Sequence, residues 1–505
     1  MTNNLKADTR DIARGALTNF AGILIKSVNV LFYVWLARVY GAAITGIFVL
    51  CQSSLDIASK LGLLGFDRGV LTFVARFRAT GDEEGAYRSI AQALAVTAFC
   101  SLLLVGALEL SVPLLCSLLH RPDLVLPLRV MAPGILFWTL TAVLVHGARA
   151  VRVMKHEIAV KSGIEPAALF LLALLLRPFL PGIKGIAWAF LLATAAGTTA
   201  AGILFTRLYS PRRVFRLLAA KEGRREFTRF SAFIGVYDLL NLFLQRIDLL
   251  LLSRFAAPAS VGVYGLAQNA AFTFKKVRQS FDPITIPVIA AAEARSESKE
   301  LLAHFRTVTR WILIIDLALL GLATFGSQLI MAVFGKGFSS GALPLTLLTI
   351  AVLINTVLGV SELFILIERP AFNLLNTVAG IAVSAGLGLF LVPRYGMTGA
   401  ACATLAAYTV MNLLRLVMVR LFYRMHPFTR YHLRALFAAA LSGAAAFLLK
   451  ELVWALPPRV SDTAALAAFL VGYILLLHLF GTAAEDKALL QKFTSLVSPR
   501  RKESL

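Results

Sequence analysis

Four polar side chains, Asp238, Asn241, Gln245 and Asp248, stand at i, i+3, i+7 and i+10 inside the stretch 229–282, which is otherwise apolar enough to cross a bilayer twice. That spacing puts all four on one face of a helix. An ionised side chain at the bilayer centre costs about 2.5–3.5 kcal/mol on insertion scales, so such a face must look into a bundle interior or a water-filled space. The second helix of the stretch repeats the device with Gln268, Lys275, Gln279 and Asp282, at spacings of 7, 4 and 3. Two neighbouring helices are therefore expected to line one wet, partly cationic space.

The rest of the chain is equally apolar. Of 505 residues 58% are hydrophobic and 15% charged, the mean hydropathy is +0.78, and no polar block has the size of a soluble domain. The chain reads as an all-α polytopic membrane protein. About 14 apolar segments approach the ~20 residues that span a bilayer: 16–38, 42–64, 89–111, 124–145, 159–180, 184–206, 230–253, 260–289, 308–333, 343–366, 371–392, 398–420, 434–456 and 463–481. The polar first 15 residues lead into a span too long for a signal-peptide core, so the first helix is expected to be kept. Cys51, Cys100, Cys116 and Cys402 lie far apart in or near apolar runs, without pairing or metal-like spacing, which is the pattern of cysteines that only pack.

A formal charge of +23 raises nucleic acid and anionic lipid as partners, and its distribution decides between them. With the N-terminus inside, most of the 50 Lys and Arg fall on inner loops and inner helix ends, and only Lys26, Lys60, Arg246 and Arg415 lie within the membrane. By the positive-inside rule both termini are expected in the cytoplasm, and nucleic acid is not a partner. The basic loop 207–229 is first a topology signal and second a contact for anionic lipid.

The first helix carries the same one-sided seam, with Asn19, Gly22, Lys26, Asn29 and Tyr33 at i, i+3, i+7, i+10 and i+14. Lys26 lies too deep to snorkel easily, which makes it the first candidate for a ligand-facing charge. At a constant offset of 216, LARVYGAAITGIFVLCQSS from Leu36 and LSRFAAPASVGVYGLAQNA from Leu252 share Leu36/Leu252, Arg38/Arg254, Ala43/Ala259, Gly46/Gly262, Leu50/Leu266 and Gln52/Gln268, and further on Lys60/Lys276. Near the same offset, Gly182/Gly396, Gly185/Gly399, Ala187/Ala401 and Ala189/Ala403 also agree. This repeat predicts two copies of six helices in one orientation, related by a pseudo-two-fold axis along the membrane normal, with substrate sites between them. The expected domains are an N-terminal bundle over 1–206, a basic cytoplasmic linker over 207–229, a C-terminal bundle over 230–420, two additional helices over 434–481 and a cytoplasmic tail over 482–505.

Asp56 and Lys60 are one turn apart, acid first, the favourable order for an i,i+4 pair. Two readings stand: mutual neutralisation with Lys60 reaching the headgroups, or Lys60 and its repeat mate Lys276 both facing a central cavity. Lys275, Lys276 and Arg278 form a cationic run inside an apolar segment, which favours an anion-facing role. Arg246 either pairs with an acid on a neighbouring helix or faces the cavity. Asp316 and Glu362 are isolated acids suited to carrying a coupling proton or cation, Glu362 being nearer the inner interface. Arg415 reads equally as an interfacial anchor. No Gly-rich phosphate loop, nucleophile motif or metal cluster appears, the histidines show no ligand spacing, and no outer loop is large enough to hold an acceptor for glycan synthesis. Catalysis has no support in this sequence, and the chain is not expected to be an enzyme.

The stretches LARVYGAAITGIFVL from Leu36, FGKGFSSGALPLTLLTIAVLINTVLG from Phe334 and VPRYGMTGAACATLAAYTVMNLLRL from Val392 resemble the polysaccharide-export and oligosaccharide-lipid flippases, the O-antigen and exopolysaccharide repeat-unit family of the multidrug, oligosaccharidyl-lipid and polysaccharide exporter superfamily. The resemblance implies a V-shaped pair of six-helix bundles whose central cavity alternates access. It implies an inner (plasma) membrane location and a polyprenyl-pyrophosphate-linked glycan as cargo, moved from inner to outer leaflet. Such a lipid tail stays in the bilayer while pyrophosphate and sugars cross inside a polar cavity. On that reading Lys26, Lys60, Arg246, Lys275, Lys276 and Arg278 hold the pyrophosphate by charge-assisted bonds, and Asn19, Asn29, Tyr33, Asn241, Gln245, Gln268 and Gln279 meet sugar hydroxyls. Asp56, Asp238, Asp248, Asp316 and Glu362 are the candidates for ion coupling. No cofactor is implied; a proton, sodium or the membrane potential would drive turnover, and membrane lipids and a glycan polymerase or assembly machinery are the partners. The rivals are a multidrug exporter of the same superfamily, whose cationic cargo suits an acidic cavity; a major-facilitator transporter, which lacks the two extra helices; and an integral-membrane glycosyltransferase or polymerase, which needs a catalytic cluster beside a large loop.

Overall fold

A computed structural model describes residues 2–118, 120–218, 220, 222–281, 298–453 and 455–481, without the side chains of 2–27, 118, 298–300, 366–368 and 370. All regular structure among the described residues is helical. Nine of these helices are long and apolar enough to cross a membrane, or ten if Pro122–Met131 and Gly134–Ala150, bent by 45°, count as one span. The protein is therefore an all-α, multi-pass membrane protein.

The expectation of about fourteen spans in two six-helix bundles plus two is corrected by this structure. Segments expected to be separate sit end to end across a kink: 16–38 and nearly all of 42–64 lie in Thr2–Leu63, and 371–392 and 398–420 lie in Pro370–Tyr423. Each of these long helices departs from helical geometry at a single glycine, Gly41 (φ 76°) and Gly396 (φ 53°), a conformation open to a residue without a Cβ. The expected span 230–253 forms within Arg224–Phe255, but its seam of polar and charged residues makes it less apolar than a lipid-facing span. The expected span 260–289 is interrupted by a turn at Phe274–Lys275 and passes at 282 outside the described residues. The expected pair of six-helix bundles is not found among the described residues; the chain divides into compact units Met1–Gly265 and Leu266–Leu505.

Within the first unit, the short helix Phe66–Ala79 lays its apolar face on the start of Arg224–Phe255. Phe227 meets Phe66 and Phe73 edge-on, at ring separations of 5.2 and 5.1 Å. Tyr209, in the loop after Ile183–Thr206, stacks on Phe205 at 4.8 Å and donates its hydroxyl to the Gly147 carbonyl at 3.0 Å. Burial pushes its phenol up to about 12, so it stays a donor at physiological pH. In the second unit, Pro458–Leu479 packs on Ser298–Phe325: Phe469 meets Phe325 at 5.5 Å, and Tyr473 donates to the Ile314 carbonyl at 3.0 Å. Lys450 and Asp462, 2.7 Å apart, tie Arg430–Leu452 to Pro458–Leu479.

Small residues set the closest approaches in the first unit. A Cβ on Gly46 would lie 2.7 Å from the Gly262 nitrogen, and one on Gly262 would lie 2.8 Å from the Gly46 nitrogen. These repeat mates thus pack backbone on backbone. Gly65 and Gly235 form a second reciprocal contact, with hypothetical Cβ-to-nitrogen distances of 2.5 and 2.7 Å. Backbone cannot yield as a side chain can, so Gly46→Ala and Gly235→Ala are each expected to destabilise the protein by about 1–3 kcal/mol. Gly106→Ala, with nothing within 4 Å of the added carbon, should be neutral or slightly stabilising. Thermal unfolding in detergent decides it, and equal midpoints for Gly46→Ala and Gly106→Ala would refute the steric account.

Candidate functional site

Charged side chains of the first unit pair across two antiparallel helix segments. Asp56 Oδ2 receives Arg246 Nη2 at 3.2 Å, and Lys60 Nζ lies 3.3 Å from Asp238 Oδ2. Asp56 and Lys60 are one turn apart on Thr2–Leu63, and each reaches the facing Arg224–Phe255 helix. Lys60 is also 3.6 Å from Asp67, and Arg68 Nε is 3.8 Å from Asp238. The Asp56 and Arg246 side chains are each 19% exposed. Two opposite charges so placed reduce the cost of keeping either inside a membrane.

Beside this seam stand two charged residues absent from the sequence-based candidates. Lys161 lies in a π-helical turn, Ile158–Ile164, with Nζ 3.0 Å from Glu165 Oε2 and 4.6 Å from the centroid of Trp138. Both are within electrostatic reach of Asp56. Their i,i+4 spacing inside an apolar segment was the available signal.

Among the remaining candidates of this unit, Tyr33 donates to Gln52 Oε1 at 2.5 Å, and Asn29 is exposed. The side-chain amides of Asn241 and Gln245 turn back onto their own helix, donating to the carbonyls of Tyr237 (2.9 Å) and Asn241 (3.1 Å). Asp248 is 1% exposed and accepts from Tyr264 at 2.5 Å. Asn19 and Lys26 belong to the stretch whose side chains lie outside the described residues. A cavity of about 940 Å³ runs along the beginning of Arg224–Phe255, lined by Arg225, Glu226, Arg229, Phe230, Phe233 and Ile234. Ile234 is one helical turn from Asp238, so cavity and polar seam share one helix face.

The second unit holds its own polar cluster. Lys275 Nζ lies 2.9 Å from the Tyr408 hydroxyl and 3.9 Å from the centroid of Phe272. Tyr408, Asn412 and Arg415 follow at i, i+4 and i+7 on Pro370–Tyr423, a seam readable from spacing once Arg415 is not taken for an interfacial anchor. Arg415 is 1% exposed, with Nη1 3.2 Å from Glu362 Oε2 and 3.3 Å from Asn412 Oδ1. Arg278 approaches the same Glu362 oxygen at 3.7 Å. Lys276 and Gln279 are exposed, whereas Gln268 is fully buried. Asp316 is 3% exposed and accepts a short hydrogen bond from Thr356, while its Oδ1 has no hydrogen-bond partner. Asp282 lies outside the described residues. No group of three or more His, Cys, Asp or Glu suited to a metal ion occurs among the described residues.

A sequence model of the polysaccharide biosynthesis protein family matches residues 12–290, more than half of the chain. The chain belongs to this family. A similar curated protein is the probable low-salt glycan biosynthesis flippase Agl15 of Haloferax volcanii, 22% identical over 197 residues that make up 38% of this chain and 41% of that relative. The match thus spans well under half of Agl15. Among solved structures, the lipid II flippase MurJ in an inward closed conformation superposes with a TM-score of 0.71 at 13% identity, covering 92% of this chain and 98% of MurJ. An inward-facing multidrug resistance MATE transporter of the MOP superfamily superposes with a TM-score of 0.66 at 15% identity, covering 79% and 94%. At these identities the likeness is one of fold.

The Asp56–Arg246 pair is open to a double-mutant cycle. Arg246→Met leaves a carboxylate without its cation inside the membrane, whereas Asp56→Asn with Arg246→Met removes both charges. The double variant is expected to be more stable than the sum of the single losses by about 1–3 kcal/mol. Additive losses in thermal unfolding would show that the two residues do not act together.

Proposed function

We propose that this protein is a flippase that carries a polyprenyl-pyrophosphate-linked oligosaccharide, a polysaccharide repeat unit, from the inner to the outer leaflet of the plasma membrane by alternating access. The observation that carries this reading is the run of membrane-embedded cations beside polar side chains: Lys60, Arg246 and Lys161 in one unit, Lys275, Arg278 and Arg415 in the other. Hydrocarbon does not tolerate such groups, and cationic drugs are repelled by them. An anionic headgroup attached to a lipid is the cargo that suits them. Membership of a polysaccharide biosynthesis family supports the same cargo, as does the likeness to a probable glycan flippase.

In this reading Lys26, Lys60, Arg246, Lys275, Lys276 and Arg278 serve the pyrophosphate, and Lys60, Arg246, Lys275 and Arg278 would exchange an internal partner for a phosphoryl oxygen. Asn19, Asn29, Tyr33, Asn241, Gln245, Gln268 and Gln279 are proposed to serve the sugars, and Asp56, Asp238, Asp248, Asp316 and Glu362 the coupling ion. Both termini face the cytoplasm by the distribution of Lys and Arg. Glycan polymerase or assembly enzymes would supply and consume the cargo.

The reading is tested on the full chain in nanodiscs, by titrating a polyprenyl-pyrophosphate glycan beside a cationic drug. The glycan lipid should bind and the drug should not. Lys26→Ala and Lys276→Ala should each weaken lipid binding about tenfold, the loss of one charge-assisted hydrogen bond. Tight drug binding with indifference to the glycan lipid would make the chain a multidrug exporter.

A further inference from the structure

We propose that Arg278 is a movable anion-binding arm, that Glu362 is the place where this arm rests while no anion is bound, and that buried Arg415 keeps the resting place charged when the arm leaves. The proposal rests on the flippase reading only for the source of the anion. Its ligand class is a phosphoryl or pyrophosphoryl group.

The two arginines differ in every respect that governs mobility. The Arg278 side chain is 18% exposed and its guanidinium lies 3.7 Å from Glu362 Oε2. That is well beyond the ~2.7–2.9 Å of a charge-assisted hydrogen bond. Its firmer contact is with neutral backbone, the Gly359 carbonyl at 3.0 Å. This carbonyl belongs to the turn that separates Ala342–Val357 from Val360–Glu368, a break in the helix that frees backbone groups for outside partners. Arg415 is 1% exposed and approaches Glu362 more closely, at 3.2 Å. Asn412 holds it from the other side at 3.3 Å and is itself held by Asn355 at 3.1 Å. Its Nε and Nη2 are buried without a hydrogen-bond partner.

Charge explains why both arginines are there. A carboxylate inside a membrane whose one cation departs is left uncompensated, which would pin that cation in place. With Arg415 behind it, Glu362 stays paired when Arg278 swings away, so the arm is released at the cost of a loose contact with Glu362 and one hydrogen bond to the neutral Gly359 carbonyl. Arg415 cannot follow, because it is enclosed and locked by Asn412. A guanidinium so released presents a planar fork matched to phosphoryl oxygens. Glu362 and the ligand then compete for one arm, and Arg415 is a positioning residue that never touches the ligand.

This predicts a pattern that loss of structure does not produce. Binding is measured on the full chain in nanodiscs of zwitterionic lipid, with inorganic pyrophosphate and with a polyprenyl pyrophosphate as probes, and with anionic phospholipid nanodiscs as a further arm. Arg278→Gln should weaken pyrophosphate binding about tenfold or more, whereas Glu362→Gln should tighten it about tenfold by removing the competitor. Arg415→Met should weaken it, since Glu362, relieved of Arg415, then holds Arg278 more tightly. Arg415→Met combined with Glu362→Gln should restore affinity to the wild-type value or above. The double variant removes one charge of each sign and so keeps the net charge of the cluster, with the partly exposed Arg278 as its remaining charge, and it carries the test if Arg415→Met fails to fold. Weaker or unchanged binding in Glu362→Gln, or no recovery in the double variant, overturns the proposal. Inorganic pyrophosphate following the pattern while the polyprenyl form fails to bind keeps the arm and removes the flippase reading. Polyprenyl pyrophosphate binding that ignores these substitutions does the reverse. A response confined to anionic phospholipid overturns the arm as a pyrophosphoryl site.

Discussion

Opposite charges held against one another inside the membrane are the condition on which the rest of this structure depends. Asp56 faces Arg246 and Lys60 faces Asp238 across antiparallel helix segments, so an acid–base order on one helix meets an acid–base order on the other in reverse. Neither helix could present its charges to lipid. The pairing fixes which faces meet, and glycines allow close packing around it: Gly65, just past the end of Thr2–Leu63, meets Gly235 of Arg224–Phe255, and Gly46 meets Gly262 of the following helix, Pro258–Thr273. Electrostatics chooses the register, and the absence of side chains sets the separation.

The same principle works differently in the second unit. There the partner of the cations is a single carboxylate, Glu362, shared by a partly exposed arginine and an enclosed one. A shared partner is weaker for each of its ligands than an exclusive one. Lys275 is managed by another means, with Tyr408 as hydrogen-bond partner and the faces of Phe272 and Tyr408 as soft counter-charge. Cations held by loose, shared or aromatic partners can change partners. That is the property an anion carrier needs and a purely structural ion pair lacks.

Much of the site was legible in spacing, because a helix converts a period in the chain into a face in space. The seam Asp238–Asn241–Gln245–Asp248, the cationic run Lys275–Lys276–Arg278 and the pairing option for Arg246 all follow from that rule. The rule does not say what a polar side chain does on its face. Asn241 and Gln245 bond back to their own helix, Gln268 is fully buried, and Asp248 is closed by Tyr264. Lys161 with Glu165, and Tyr408 with Asn412 and Arg415, obey the same rule, since each set falls on one helix face at spacings of 4, or of 4 and 3, inside an apolar segment.

What the sequence by itself determined is the membrane class, the helical content, the position of the polar seams and the glycine pairs shared between distant stretches. These depend on composition and period, which are local properties. Gly182 and Gly396 illustrate it: matched in sequence, both adopt a left-handed backbone, at φ of 71° and 53°. What only the tertiary structure decided is where helices end and which charges are partners. Helix ends escaped because a glycine can kink an apolar run within one residue, as at Gly41 and Gly396, so that two helices follow each other with no intervening loop. Partners escaped because Asp56 is four residues from Lys60 along the chain and 190 from Arg246, yet the distant arginine is its hydrogen-bonded neighbour. Chain separation carries no information about such a pair until the helices are packed.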